Sequence, residues 1–224
     1  MEDALNLQKM SLAVLAIMLV TFAGCSKSDK ATQPSGNNGT TLRFVGTVNG
    51  DNGYLSGTIV FSVNDSVVTG TFRIVTPDTS THALTGIYND STKALAATDG
   101  SHTFGGLYDG ANRLEGLMTG SVSGTFVTVK DDDNSAVAFC GTFSGDDSGV
   151  WNFTIDGTII AGSFTTVGGI MGLLDGTISG NAISIVNPAG GAPLATGTRS
   201  GDDASGTWND GQSSSGVWTG HRSN

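Results

Sequence analysis

The sequence predicts an all-β fold: an antiparallel meander built as two tandem, roughly eight-stranded small barrels or flattened sandwiches. Three observations predict it. A five-residue unit (apolar, spacer, Gly, small, apolar) recurs throughout and is clearest at Val122-Ser123-Gly124-Thr125-Phe126. Clusters of turn residues separate short spans of alternating apolar and polar side chains, and regular spacing of that kind implies antiparallel neighbours. The pattern also repeats along the chain: Phe44 to Thr47 matches Phe139 to Thr142, 95 positions on, and Val68 to Phe72 matches Ile160 to Phe164, 92 on. Leu114-Glu115-Gly116 likewise matches Ala204-Ser205-Gly206, 90 on, so the chain reads as two homologous halves.

The five-residue unit also opens at Phe44, Leu55, Val68, Leu84, Phe104, Leu114, Phe139, Ile160 and Leu174, with weaker copies at Ala204 and Ser214. Strand side chains alternate with period two, so the apolar residues and the Gly of each unit share one face, while Ser, Thr, Asn and Arg take the other. Gly is therefore expected on the inside. In a flat sheet an interior Gly leaves a hole and weakens the strand. A small closed barrel accounts for it, because the inner face of a tapered barrel alternates large and small residues and Gly permits the bend. Leu55, Gly57, Ile59, Phe61 and Val63 read that way, as do Gly149, Trp151, Phe153, Ile155 and Gly157.

In chain order, residues 42–130 form the first β repeat and residues 136–222 the second, joined near Asp131-Asp132-Asp133-Asn134. Turn chemistry at Asp51-Asn52-Gly53, Asn64-Asp65-Ser66, Asn89-Asp90-Ser91, Asp109-Gly110, Asp156-Gly157 and Asp210-Gly211 divides them. About sixteen strands of roughly six to nine residues follow from these boundaries. One sixteen-stranded membrane barrel would need an apolar exterior and strands of about 9 to 11 residues. The exterior positions here are Thr, Ser, Asn and Asp, which favours small water-facing bodies.

Ahead of the repeats, residues 1–24 read as a signal peptide. Met1 to Lys9 is polar with one base, and Ser11 to Ala23 is almost wholly apolar. At about a dozen apolar residues this run is shorter than the roughly 20 that a spanning helix needs, and it fits a secretory h-region. It ends in Phe22-Ala23-Gly24-Cys25, and here the sequence resembles a bacterial lipoprotein precursor, with small residues at the two positions before a Cys. Phe22 stands where that pattern has Leu, and Glu2 and Asp3 dilute the positive start. The resemblance implies that Cys25 is the lipidated first residue of the mature chain and that its membrane is the outer one, since Ser26 rather than Asp follows. Residues 25–41, with Lys27, Lys30, Pro34 and Ser35-Gly36-Asn37-Asn38-Gly39, read as a flexible tether.

The body resembles avidin-like or calycin-like barrels faintly, through a Gly-Thr strand feeding a Gly-Thr hairpin at the start of each half. That likeness carries no binding residue across. Removing residues 1–24, which hold Glu2, Asp3 and Lys9, from the chain's 20 acids and 10 bases leaves 18 and 9, a net charge of −9. Such a surface repels nucleic acid, and nucleic-acid binding is not expected.

Chemistry is sparse at the level of motifs. There is no Gly-x-Ser-x-Gly, His-Glu-x-x-His, Cys-x-x-Cys or P-loop, and none of the 34 glycines forms Gly-x-Gly. Cys140 falls on the outer face of its strand and, with Cys25 lipidated, has no partner; it is expected to be inert or covered by the other half. His82 and His102 are in phase with inward residues of strands one apart, which puts them at one rim about two inter-strand spacings, roughly 10 Å, from each other. That is too far for a shared ion with ligands at about 2 Å, so no metal and no catalytic role is expected of them. Asp131 to Asp133, Asp146-Asp147 and Asp202-Asp203 read as solvated turns. Trp151, Trp208 and Trp218 share the Gly-bearing face of the second half and are the candidate ligand-binding residues there.

These readings converge on a lipid-anchored cell-envelope protein with no cofactor, meeting the membrane through Cys25. Its role is expected to be non-enzymatic, binding or structural, with an envelope protein or a small hydrophobic ligand as partner. The alternative, a calycin-like carrier of a small hydrophobic ligand, requires an apolar cavity of at least about 300 Å³ within one half. An enzyme would require a place where carboxylates or a histidine converge.

Overall fold

The computed structural model describes residues 41–186 and 193–224; the expectations for the signal segment, Cys25 and the tether lie outside these residues. Sixteen strands make up the described chain. The first eight are β1 (Thr41–Gly50), β2 (Ser56–Asn64), β3 (Val67–Thr76), β4 (Ser80–Asn89), β5 (Ala94–Thr98), β6 (His102–Tyr108), β7 (Arg113–Gly120) and β8 (Gly124–Lys130). The second eight are β9 (Val137–Gly145), β10 (Gly149–Asp156), β11 (Ile159–Thr166), β12 (Met171–Ser179), β13 (Ala182–Val186), β14 (Ala195–Ser200), β15 (Asp203–Asn209) and β16 (Ser215–Arg222). Each set closes separately into an antiparallel barrel, β8 returning to β1 and β16 to β9. No helix occurs among the described residues.

An eight-stranded barrel has an interior just wide enough for side chains to fill. In the first barrel Phe44, Phe61, Phe72, Phe104 and Phe126 are all fully buried. Phe61, Phe104 and Phe126 meet edge to face, with ring centroids 5.7 to 6.3 Å apart. Burying such a side chain contributes about 1.5–3 kcal/mol. In the second barrel Phe139, Phe153 and Trp218 occupy the same role, with Trp151 stacked on Trp218 at 6.0 Å.

The glycines do face inward, for a reason stronger than curvature. A Cβ built on Gly46 would overlap the Val127 carbonyl of the adjoining strand, and one on Gly141 would overlap that of Thr219. On Gly57 it would lie 2.5 Å from the Arg73 oxygen. Neighbouring strands coil so tightly on the concave side that only hydrogen fits between them.

The outer faces of β1, β8, β10 and β11 differ from expectation. Their Thr, Ser and Asn residues were expected in water, yet Thr47, Asn49, Thr128, Asn152, Thr154, Ser163 and Thr165 are fully buried. The cause is packing of one barrel wall on the other, β1 against β10 and β11 and β8 against β11. Val45, Val127, Val129, Ala136 and Ala161 form an apolar layer there. Beside it the Asn152 amide donates to the Val48 carbonyl (3.2 Å) and to Asn49 Oδ1, while its oxygen accepts from Ser56 (2.8 Å) and from the Gly141 N–H (2.9 Å). Asn49 in turn donates to the Ser163 carbonyl at 2.8 Å. Arg73 reaches the Ser223 carbonyl at 2.7 Å, and Arg113 pairs with Asp175.

Candidate functional site

Loops β1–β2, β3–β4, β5–β6 and β7–β8 ring one mouth of the first barrel, the end opposite Thr41. Ser80 and His82 enter it from β4, two residues apart and so on one face. His82 pairs across the strands with Phe72 and stacks on its ring at 6.0 Å. The β5–β6 hairpin supplies Asp99. Gly100 takes a φ of +91°, where side chains are rarely tolerated, and closes the turn. The Asp99 Oδ1 accepts the N–H groups of Ser101 (2.8 Å) and His102 (2.6 Å), which locks the carboxylate in place.

Its other oxygen, Oδ2, lies 3.0 Å from His102 Nδ1 and 3.3 Å from His82 Nδ1. A carboxylate only accepts, so His102, which is hydrogen-bonded to it, carries its proton on Nδ1; His82 makes a longer ion-pair contact with the same oxygen, and with its proton on Nδ1 either ring keeps Nε2 as a base. Both bases face a hydroxyl: His82 Nε2 is 2.9 Å from Ser80 Oγ and His102 Nε2 is 3.2 Å from Ser121 Oγ. The mouth thus holds a continuous line, Ser80, His82, Asp99, His102, Ser121. The Asp99 side chain is 3% exposed, that of His102 8% and that of His82 32%. Burial works to raise the Asp99 pKa, but hydrogen bonds from the His102 ring and from the His102 and Ser101 amides outweigh it and hold the carboxyl below the usual range.

This corrects the rim separation expected for His82 and His102. Their ring centroids are 5.8 Å apart, because β5 ends at Thr98 opposite Thr85, so at the level of His82 no strand stands between the two and the Asp99 carboxylate reaches both. Motif search missed Ser80, Asp99 and Ser121. Two local signals were present: Ser80-Thr81-His82 places a hydroxyl and an imidazole on one face, and Asp99-Gly100-Ser101-His102 is a turn that brings an acid back beside its own histidine.

The corresponding mouth of the second barrel is aromatic. Trp151 stacks on Phe164 at 6.1 Å, and Phe143 stands edge-on to Trp151, Phe164 and Trp208. Of the three tryptophans singled out from sequence, Trp151 and Trp218 lie in the core, 5% and 1% exposed. Trp208 is half-buried at the rim and donates to the Ser144 carbonyl at 3.1 Å. Gly172 occupies the register of His82, pairing with Phe164 as His82 pairs with Phe72.

Two further groups lie away from this mouth. Cys140 is buried beside Ser56, Ser223 and Arg73; burial, only partly offset by those neighbours, pushes its thiol up to about 11, so it is inert. Asp131, expected in a solvated turn, is instead buried, paired with Arg43 and accepting the Ala136 N–H at 3.2 Å. Asp133 and Asp156 lie close enough to Asp131 to share an ion, but the Arg43 guanidinium already neutralises the buried member.

Compared with protein-family models, with curated proteins and with solved structures, the chain matches none.

Proposed function

We propose that the chain is a lipid-anchored cell-envelope protein, held to the outer membrane through Cys25, whose duplicated β body serves a binding or structural role at its surface. The observation that carries the choice of surface over lumen is the filling of the first barrel by Phe44, Phe61, Phe72, Phe104 and Phe126. Rings in mutual contact occupy the space that a carried ligand would need, so the carrier reading finds no support there. The chain enters the first barrel at Thr41, the end opposite the Ser80 mouth.

Cys25→Ala tests the anchor. The unaltered chain is expected in the membrane fraction, to take up labelled palmitate and to need detergent for release, whereas the variant is expected in the soluble envelope fraction. Continued membrane fractionation of the variant, or a mature chain without lipid on Cys25, overturns the reading.

A further inference from the structure

We propose that the mouth of the first barrel is an ester-hydrolysing site in which Ser80 is the nucleophile, His82 its base and Asp99 the residue that orients His82. The inference goes beyond the anchoring reading and does not depend on it. Two geometric features of an activated serine are present: a hydroxyl 2.9 Å from an imidazole Nε2, and a carboxylate 3.3 Å from the Nδ1 of the same ring, within reach to orient it. Such constellations arise on unrelated folds and are recognised by geometry and not by chain order. That is why a motif search is silent on this one.

Ser80 is a better nucleophile than Ser121. Its hydroxyl lies closer to its imidazole, 2.9 Å against 3.2 Å, and His82 is 32% exposed on its side chain whereas His102 is 8% exposed and has the Phe72 ring edge-on at 5.5 Å. The His102 arm instead donates its ring N–H to Asp99 and fixes the aim of the carboxylate. A purely structural reading meets a difficulty in the second barrel, which closes the same eight-stranded architecture with Gly172 at the register of His82. The fold does not need the network.

The chemistry balances without a cofactor. Ser80 Oγ adds to the acyl carbonyl carbon while its proton passes to His82 Nε2. The ester C–O bond then breaks and the leaving alkoxide takes that proton as an alcohol. Water adds to the acyl-Ser80 carbonyl, giving a proton to His82, which returns it to Ser80 Oγ as the carboxylic acid departs. Substrates are esters of short acyl groups, because Phe72 and Phe104 fill the barrel directly beneath the mouth and leave no deep acyl channel.

The test is treatment of the purified full chain with a fluorophosphonate probe, read by intact mass and peptide mapping, alongside hydrolysis of p-nitrophenyl acetate. The expected result is one adduct, on Ser80. It should be absent from Ser80→Ala and retained by Ser123→Ala, which changes an exposed serine outside the network. Hydrolysis should fall at least about a hundredfold in His82→Gln, the size expected for loss of a general base. Asp99→Asn should lower turnover with little change in KM and shift the pH profile, which a merely structural role would not do. The unaltered chain needs no variant to fold: failure to label Ser80, or labelling elsewhere only, overturns the proposal. So does hydrolysis that persists in Ser80→Ala. None of these results bears on Cys25, so the anchor reading stands or falls separately.

Discussion

Asp99 shows how much a single side chain can do where two strands and a hairpin meet. Two backbone N–H groups and the His102 ring donate to it, His82 Nδ1 lies 3.3 Å away, and its folded-state pKa lies below the ordinary carboxylate value. Stability from a depressed carboxylate is fully present above the unfolded-state pKa and is lost as pH falls through the folded one. Acid titration should therefore destabilise the unaltered chain progressively below about pH 4, and Asp99→Asn should flatten that part of the curve while lowering stability at neutral pH. Urea midpoints measured from pH 2 to 7 check this; parallel curves for the two proteins would contradict it. Half of this mouth was legible beforehand. The inward phase of His82 and His102 follows from period-two alternation, but Asp99 sits in a turn, where no periodicity says which way a side chain points. The expected gap of roughly 10 Å assumed a full strand between them, but β5 stops at Thr98, opposite Thr85, short of the rim.

At the scale of a strand, β1 shows one face read correctly and one misread. Phe44, Gly46 and Val48 were assigned inward and are buried in the first core. Thr47 and Asn49 were assigned to water and are buried too, because a second barrel covers them. Nothing in a Thr or Asn at an outward position distinguishes solvent from a polar wall. Substituting Gly46→Ala forces a methyl group into the Val127 carbonyl, a backbone obstacle that cannot rotate away. The loss should be about 1–3 kcal/mol or more, the cost of overpacking, seen as a lower urea midpoint with an unchanged slope. Gly110 has φ +83 and open space around it, so Gly110→Ala should act through backbone strain alone and cost less.

At the scale of the molecule, duplication was legible from spacing, and the polar outer positions and short strands favoured small bodies, but separate closure of the two halves was left open by the sequence. Their union across one wall was not legible, since it depends on which outer residues meet. Asn152 bonds to Val48, Asn49 and Ser56 in the first barrel and to Gly141 in the second, and Val45, Val127 and Val129 are covered by Ala136 and Ala161. Barrels sharing so much buried surface should unfold together. Calorimetry is expected to show one transition, with calorimetric and van't Hoff enthalpies equal. Two resolved peaks in the unaltered chain would show that the wall is energetically minor. Asn152→Ala should strand the groups it now satisfies, at about 1–3 kcal/mol, and broaden or split that single peak.

Because β8 returns to β1 and β16 to β9, no rim strand in either ring is left with a free row of amides and carbonyls. The described strands of molecules crowded side by side therefore offer one another no template for cross-chain β-pairing, the route by which open sheets propagate into fibrils.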